Sequence, residues 1–276
     1  MKTSNQLKAL LRNLSKITDV SPEVLLRNFM LERFLERVSL SKYKNNFILK
    51  GGLLIADIIG IDNRSTMDMD ANIKGHVISE SEVALMCKEI INISIDDGVN
   101  LIYTGIEEIR EEADYPGFRV SINATLDKTR QSMKIDITTG DYVTPKEINY
   151  DYKLMFEDRT ISLMTYNIET VLAEKLETIV SRGILNSRMK DFYDIYILTA
   201  TQKYDTSTFE KAFHNTLAKR KSIEQITEMQ KTLQVIKNDP NMINLWKRYQ
   251  QKNTYASDVD WITVTESIKI LAKVIY

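Results

Sequence analysis

The spacing of hydrophobic residues divides the chain into two regions. In the first, segments with helical spacing alternate with short runs in which every second residue is apolar, such as 67–73. From Asn167 onward the apolar residues recur at helical intervals almost throughout. We therefore predict a mixed α/β region over about 1–165, which begins with two amphipathic helices, and a helical region over about 166–276. The fold class that this pattern predicts is α+β, with a helical bundle on the C-terminal side.

Turn and capping residues mark where individual elements begin and end. Ser21 fits the N-cap of the second helix, whose Glu32 and Glu36 we place on the surface. A short apolar strand ends at Gly51-Gly52 and is followed by a short apolar helix. The other predicted elements are a helix over 80–95, strands over 100–111, 117–126 and 132–138, short strands near 153–156 and 161–163, and helices near 168–182, 189–200, 207–220, 222–237, 241–251 and 258–274.

Composition excludes several classes of protein. Hydrophobic residues make up 43% and charged residues 27% of the chain, as in an ordinary globular domain, and the longest apolar runs are too short to span a bilayer. The N-terminal segment carries Lys2 but lacks the apolar core of a signal peptide, so we expect no membrane association. Cys87 has no second cysteine to pair with, and His76 and His214 lack partners at metal-ligand spacing. These features predict a cytoplasmic protein.

Charge is distributed unevenly along the chain, although its net value is only −1. Residues 1–50 carry 10 Lys or Arg against 4 Asp or Glu, residues 51–160 carry 11 against 21, and residues 161–276 carry 16 against 13. An acidic centre between two basic ends has two interpretations. It is either a chance bias among solvated helix faces, or the basic ends attract an RNA backbone.

The sharpest local feature is a pair of aspartates that follows a glycine turn. Fifteen residues separate Gly51-Gly52 from Asp68-Met69-Asp70. Because residues i and i+2 of a strand point to the same side, Asp68 and Asp70 can reach one divalent cation, and Asp136 on a later strand offers a third carboxylate. Mg²⁺ (or Mn²⁺) is held in this way by carboxylates together with substrate phosphates. An Asp-x-Asp pair taken alone is common, and two surface aspartates on an edge strand are then the simpler explanation.

The order of these features is more informative than any one of them. A glycine turn that opens a short helix, an aspartate pair on the next strand and a later strand aspartate form the layout of the nucleotidyltransferase fold, in which metal-bound carboxylates position a nucleoside triphosphate (NTP) for in-line attack. Arg64 and Thr66 are candidate phosphate contacts, although a simple turn also explains them. Many nucleotidyltransferases place a serine where Gly52 stands, so phosphate contact here would depend on the backbone N–H groups of Gly51 and Gly52.

Four segments in this order resemble a known family. They are FILKGGLL at 47–54, RSTMDMD at 64–70, YNIETVLAEKL at 166–176 and MKDFYDIY at 189–196. The set is similar to the AbiEii/AbiGii family of nucleotidyltransferase-like toxins, and the resemblance extends over about 21–198. The third segment resembles the lysine-bearing helix of that family, and the fourth resembles its aspartate-bearing helix.

The resemblance implies a bacterial toxin of a type IV toxin–antitoxin or abortive-infection system. Such toxins act as nucleotidyltransferases, and relatives transfer nucleotides from NTPs to the acceptor end of tRNA, which halts growth. Their antitoxins are typically separate proteins that repress the operon and need not form a tight complex with the toxin. By the same resemblance, Asp68 and Asp70 would be metal ligands, Lys175 a phosphate-binding cation and Asp191 a catalytic or orienting carboxylate, the last two contributed by the helical region.

Three functions stay open on the sequence alone. The first is a metal-dependent nucleotidyltransferase toxin whose acceptor is RNA, with tRNA as the expected one. The second is an NTP-binding regulatory module without turnover, and the third is a nucleotidyltransferase that acts on a small molecule. Within the first, either Asp136 or Asp191 takes the proton of the acceptor hydroxyl, and the sequence does not choose between them. Other prominent residues are interpreted as structural: Asp141 in a turn, and Cys87, Tyr193, Tyr196, Trp246 and Trp261 in packing.

Overall fold

The structure is a computed structural model of the chain and describes residues 3–75, 79–109 and 117–275. It forms two compact units. The sheet unit comprises Met1–Asp141 with Glu147–Thr165, and the helical unit comprises Tyr142–Lys146 with Tyr166–Tyr276. His76 and the last two residues of the predicted strand 100–111 lie outside the described residues. In the part of the chain that is described, no helix is both long and apolar enough to cross a bilayer.

The sheet unit is built around one mixed sheet. Its described elements are α1 (Ser4–Thr18), α2 (Pro22–Leu40), β1 (Phe47–Lys50), α3 (Gly51–Ile59), β2 (Met69–Ile73), α4 (Glu80–Ile91), β3 (Val99–Glu108), β4 (Gly117–Leu126), β5 (Thr129–Thr139), β6 (Ile148–Lys153) and β7 (Thr160–Thr165). The strand order is β3-β4-β5-β2-β1-β7-β6. The pairs β1–β7 and β2–β5 are parallel, and the other neighbours are antiparallel. A mixed sheet with helices confirms the predicted α+β class.

Helix α2 supplies apolar and charged residues to the core of the sheet unit. Its N-cap is Ser21, as predicted, and Phe34 is fully buried. The expectation that Glu32 and Glu36 lie on the surface is wrong, because both are buried and compensated in different ways. Glu36 pairs with Arg33 at 3.0 Å and with Arg159 at 2.6 Å. Burial raises the pKa of Glu32 to about 8, so this carboxyl is largely neutral at pH 7.

Strand β4 shows why the long strands form. Val120, Ile122 and Ala124 are buried, whereas Arg119, Ser121 and Asn123, which alternate with them, are only half-buried. This confirms the predicted alternation and gives this strand one apolar face and one polar face. The polar face carries the charged side chains of the candidate site.

The helical unit packs around aromatic side chains. Its described helices are α5 (Ile168–Arg182), α6 (Met189–Thr201), α7 (Thr206–Arg220), α8 (Gln225–Asn238), α9 (Pro240–Lys252) and α10 (Trp261–Ala272). The rings of Trp246 and Trp261 lie 5.9 Å apart, and that of Phe192 lies 5.4 Å from Trp261. Tyr193 lies 4.9 Å from the ring of Tyr255. These contacts confirm that the tryptophans and Tyr193 act in packing.

Two predicted elements differ most from their boundaries in the structure. The predicted helix 80–95 ends at Ile91, since Asn92 caps it and the chain turns there. The short strand predicted near 153–156 is displaced, and β6 occupies Ile148–Lys153 instead. A turn follows directly, in which the N–H of Glu157 bonds to the carbonyl of Leu154. The apolar residues after Lys153 therefore belong to a turn that reverses the chain into β7.

Candidate active site

The glycine turn between β1 and α3 is tightly enclosed by the loop and strand that follow it. Gly51 has a φ of +70°, and a Cβ built on it would lie 2.8 Å from Cγ of Asp70. A Cβ on Gly52 would lie 2.8 Å from Oγ1 of Thr66 and 3.2 Å from Nη2 of Arg64. Both positions therefore need glycine, the first for its backbone conformation and both for the close approach of neighbouring side chains. The structure thus brings together five of the residues predicted from the sequence.

The N-terminus of α3 lies at this turn. The helix begins at Gly51, and its N-cap residue Lys50 makes no side-chain capping hydrogen bond. The first N–H groups of a helix have no partner within the helix, and they lie at the positive end of its dipole. An anion is therefore stabilised here, as expected for a phosphate group.

The loop that carries Arg64 and Thr66 is held in place by hydrogen bonds. Both side chains are buried. The amide of Asn28 on α2 donates to the carbonyl oxygen of Thr66 at 3.0 Å, and Oγ1 of Thr66 accepts the N–H of Asp68 at 3.3 Å. The path from the loop to the aspartate pair is consequently fixed before any ligand binds, which reduces the entropy that binding would cost.

The three candidate metal-binding aspartates lie in one region of the sheet unit. Asp70 on β2 pairs in register with Asp136 on the parallel strand β5, and the exposed Asp68 immediately precedes β2. Arg119 on β4 donates to both carboxylate oxygens of Asp136, through Nε and Nη2, each at 2.8 Å. The hydrogen bonds that Arg119 donates to Asp136 raise the pKa of Arg119, and the charge of Asp68 adds to the effect. Arg119 therefore lies within electrostatic reach of both carboxylates.

Lys175 and Asp191 meet each other within the helical unit. Nζ of Lys175 on α5 lies 2.9 Å from Oδ1 of Asp191 and 2.6 Å from Oδ2 of Asp194, both on α6, and Nε of Arg188 donates to Oδ2 of Asp191 at 2.8 Å. Burial by itself would raise the pKa of Asp191, but the charges of Lys175 and Arg188 and their hydrogen bonds lower it to about 2. Asp191 is therefore an anion at every physiological pH.

Comparison with known proteins identifies the family. A family model described as the nucleotidyl transferase AbiEii toxin of type IV toxin–antitoxin systems matches residues 33–264. The chain belongs to the AbiEii family. This confirms the resemblance carried by the four sequence segments, and the protein is a nucleotidyltransferase toxin by family. A search of curated proteins gives no match.

Solved structures share the fold of this AbiEii family member at low sequence identity. One is a candidate nucleotidyltransferase from H. pylori, with 13% identity and a TM-score of 0.53, where the match covers 93% of this chain and 96% of the other. Another is JHP933 from Helicobacter pylori, with 13% identity and a TM-score of 0.54, where the match covers 93% of each chain. The nucleotidyltransferase fold is thereby confirmed.

The donor set of the aspartates fits a divalent cation bound together with its substrate. Carboxylate oxygens are the ligands that Mg²⁺ and Mn²⁺ prefer. Within residues 3–75, 79–109 and 117–275, no group of three or more His, Cys, Asp or Glu side chains is arranged to hold a metal ion. Asp136 is moreover engaged by Arg119 through both oxygens. The residues present fit a cation held by Asp68 and Asp70 and completed by phosphate oxygens and water, rather than an all-protein cage.

Two ion pairs beside the predicted site residues were not foreseen from the sequence. Lys50, buried and in register with Asp70, places its Nζ 2.5 Å from Oδ2 of Asp141, which also accepts the hydroxyl of Thr138 at 2.8 Å. Asp141, which we predicted to shape a turn, follows the bend at Gly140 and holds a lysine. The sequence feature that could have indicated the Lys50–Asp141 pair was a lysine at the end of an apolar strand. For Asp194, the signal was its position three residues after Asp191, which places both on one face of α6.

Proposed function

We propose that this protein is a metal-dependent nucleotidyltransferase that transfers a nucleotide from an NTP to RNA, with tRNA as the acceptor. The enclosed glycine turn is the observation that carries the proposal. There, backbone N–H groups at the start of α3, the guanidinium of Arg64, the hydroxyl of Thr66 and the carboxylate of Asp70 lie around Gly51 and Gly52. Cationic and N–H donors for phosphate beside a metal-binding carboxylate are what binding of a metal–NTP complex requires.

The residues of the sheet unit bind and orient the triphosphate. The N–H groups of Gly51 and Gly52 bind phosphate oxygens, and the Arg64 guanidinium donates to them. Asp68 and Asp70 would hold Mg²⁺ or Mn²⁺, which when bound neutralises charge on the triphosphate. The acceptor hydroxyl then attacks the α-phosphorus, the bond to the departing phosphate oxygen breaks, and pyrophosphate leaves.

The pKa of Asp191 bears on the choice of proton acceptor. A general base works best when its pKa lies near the operating pH, and a carboxyl whose pKa is about 2 binds a proton poorly. We therefore assign Asp191 an orienting role, in which it holds Lys175 together with Asp194. The family resemblance implies that Lys175 is a phosphate-binding cation, and these two carboxylates hold its Nζ in place. Asp136 is the remaining candidate for the acceptor of the hydroxyl proton, and to act it must free one of the two carboxylate oxygens that Arg119 holds.

The biological part of the proposal follows from the family. A type IV toxin implies an antitoxin, which we propose to be a separate protein that acts without a tight complex. Nucleotide addition to tRNA in the cytoplasm would stop translation. Growth arrest of this kind in a phage-infected cell would produce abortive infection.

Labelled nucleotides test the reaction directly. The purified protein is incubated with total RNA, Mg²⁺ and one α-labelled NTP at a time (ATP, CTP, GTP or UTP). We expect label in a small RNA with at least one NTP, and sequencing of RNA 3′ ends identifies the acceptor. Asp70→Asn should reduce labelling by at least about a hundredfold, since it replaces a charged carboxylate that would hold the cation by a neutral amide. Asp258→Asn, at an exposed aspartate of the helical unit, is the matched control and should label as wild type does.

Other outcomes favour the alternative functions. Equal labelling by wild type and Asp70→Asn refutes the mechanism. Tight NTP binding without transfer to any RNA would instead support a regulatory module. Transfer that persists in a low-molecular-weight extract freed of RNA would indicate a small-molecule acceptor.

A further inference from the structure

A cavity in the helical unit is lined by an unusual number of lysines. It lies between α8 and the C-terminal part of α10, and its volume is about 360 Å³. The lysines are Lys231 and Lys237 from α8, and Lys269 and Lys273 from α10 and the turn after it. Gln230, Gln234 and Thr265 add neutral hydrogen-bonding groups to the same walls. The cavity belongs to the helical unit alone and contains none of the residues assigned to catalysis.

The positive charge at this cavity exceeds the negative charge that faces it. Lys237 bonds to Glu266 at 2.6 Å, and Lys231 pairs with Glu228 on its own helix at 3.2 Å. The hydrogen bond from Lys237 lowers the pKa of Glu266, and the charges of Lys269 and Lys273 add to the effect. One carboxylate on α10 thus lies near three ammonium groups. The cavity keeps an excess of positive charge that an anion would neutralise.

Helix dipoles do not explain this arrangement by themselves. A lysine in the last turn of a helix is stabilised by the helix dipole, which accounts for Lys237 and for one lysine at the end of α10. Lys231 lies in the middle of α8, far from the C-terminus of that helix. Lys269 and Lys273 are four residues apart, a spacing at which like charges on a helical face repel. The helix dipole therefore leaves the convergence of all four lysines on one cavity unexplained.

We propose that this lysine cavity binds phosphate groups in the backbone of the acceptor RNA. The proposal rests on the function proposed above, for which it supplies a binding site outside the reacting centre. Ammonium groups bind phosphates as point charges and need no fixed base sequence, which suits contact with a backbone. Gln230 and Gln234 can donate to phosphate or ribose oxygens between the lysines. The net positive charge of residues 161–276, with 16 Lys or Arg against 13 Asp or Glu, is consistent with RNA near this unit.

The salt dependence of RNA binding tests the proposal without any catalytic step. We compare wild type, Lys269→Gln/Lys273→Gln, and a control with the same loss of charge, Lys211→Gln/Lys252→Gln. The control lysines are exposed on α7 and α9. Binding of tRNA is measured without NTP over a series of salt concentrations. Because each phosphate contact contributes about 0.7 to 0.9 to the slope of log K against log[salt], the cavity variant should lose about 1.4 to 1.8 in slope. The control should keep the wild-type slope.

Further readouts separate the outcomes. Unchanged RNA binding by the cavity variant overturns the proposal, as does an equal loss in both double variants, which would show that overall charge alone is responsible. If the cavity variant loses binding of pyrophosphate but binds RNA as wild type does, the cavity binds a free anion and the proposal fails. If the cavity variant loses binding only of an acidic peptide, the cavity binds a protein and the proposal also fails. A slope change without any nucleotide transfer would leave the cavity proposal standing while the proposed reaction fails. Melting curves confirm that both variants fold.

Discussion

At the scale of single residues, the candidate site depends on how closely side chains approach the two glycines. Gly51 is constrained both by its backbone conformation and by Asp70, whereas Gly52 is constrained only by the side chains of Thr66 and Arg64. A substitution at Gly52 therefore tests the side-chain contacts of the turn alone. A change at Gly52 displaces phosphate-binding groups without imposing strain on φ.

Gly52→Ala should separate packing at the turn from general effects of adding a methyl group. The new Cβ would lie 2.8 Å from Oγ1 of Thr66, so the loop must shift. We expect a loss of about 1–3 kcal/mol in stability, typical of overpacking, and at least a tenfold loss of nucleotide transfer. Gly105→Ala is the control, since a Cβ there meets none of the described atoms within 4 Å. Chemical denaturation and the labelling assay measure both effects. Equal behaviour of the two variants would contradict the assignment of the turn.

The lowered pKa of Asp191 makes the stability of the helical unit depend on pH. The ordinary value of 3.8 falls to about 2 in the folded protein, so the unfolded chain binds the proton more tightly. The stability that the ionised carboxylate provides is thus complete above about pH 5 and is lost as the pH falls through 4 toward 2. From that shift, about 1 kcal/mol should disappear between pH 6 and pH 3.

Asp191→Asn should remove this part of the pH dependence. At pH 7 it should also cost about 2 kcal/mol or more, because Lys175 and Arg188 lose a buried partner. Urea unfolding at pH 6, 4 and 3 measures both effects. Asp258→Asn, which alters an exposed aspartate, should follow the wild-type profile. A variant curve parallel to that of wild type would contradict the pKa assignment.

At the scale of elements, α2 carries more buried charge than its amphipathic pattern suggests. Arg37 donates to Asp97 at 2.8 and 3.2 Å and to the carbonyl of Val99 at 2.9 Å, and its side chain is buried. Arg27 on the same helix lies 3.8 Å from Glu23, which is well exposed. The two arginines therefore contribute to stability by different amounts, although the sequence gives them the same appearance.

Paired substitutions along α2 test this difference. Arg37→Met should cost about 3–5 kcal/mol, because it leaves Asp97 buried without its charge partner. Arg27→Met should cost less than about 1 kcal/mol, since an ion pair with an exposed partner is screened by water. Equilibrium urea denaturation at pH 7 gives both values. Equal costs would mean that the buried pair does not anchor α2 to the segment before β3.

The same elements show what the sequence could predict. Helix α3, strand β2 and strand β4 follow from local spacing and turns, and the family segments located Gly51, Gly52, Asp68 and Asp70. The Arg119–Asp136 pair depends on the register of β4 against β5, and the Lys50–Asp141 pair joins residues far apart in sequence. No local pattern encodes such a register. Buried Glu32 and Glu36 were misplaced for the same reason, since Glu36 pairs with Arg159 and Glu32 accepts the N–H of Met155, both distant in sequence.

At the scale of the whole molecule, the uneven distribution of charge makes the stability of the fold depend on bound ligands. Residues 51–160 carry 11 Lys or Arg against 21 Asp or Glu, and this acidic segment contains all three candidate metal-binding aspartates. Like charges within one compact unit repel, so a bound cation should stabilise the fold as well as serve the reaction. The basic excess of residues 161–276 is available for RNA and needs no cation. Divalent cations should therefore stabilise the acidic segment, whereas the basic residues of 161–276 contact RNA outside its reacting end.

Thermal melting with metal and NTP tests this view of the whole molecule. At a ligand concentration about 100 times Kd, binding stabilises the folded state by about 2.7 kcal/mol, which raises Tm by roughly 5–10 °C in a protein of this size. We expect that rise with Mg²⁺ and the preferred NTP together, and its loss when EDTA removes the cation. Asp68→Asn/Asp70→Asn should abolish the metal-dependent part, whereas Lys269→Gln/Lys273→Gln should retain it because those lysines lie outside the reacting centre. If the aspartate variant still gains the full metal-dependent shift, the cation is bound elsewhere, and the assignment of Asp68 and Asp70 fails.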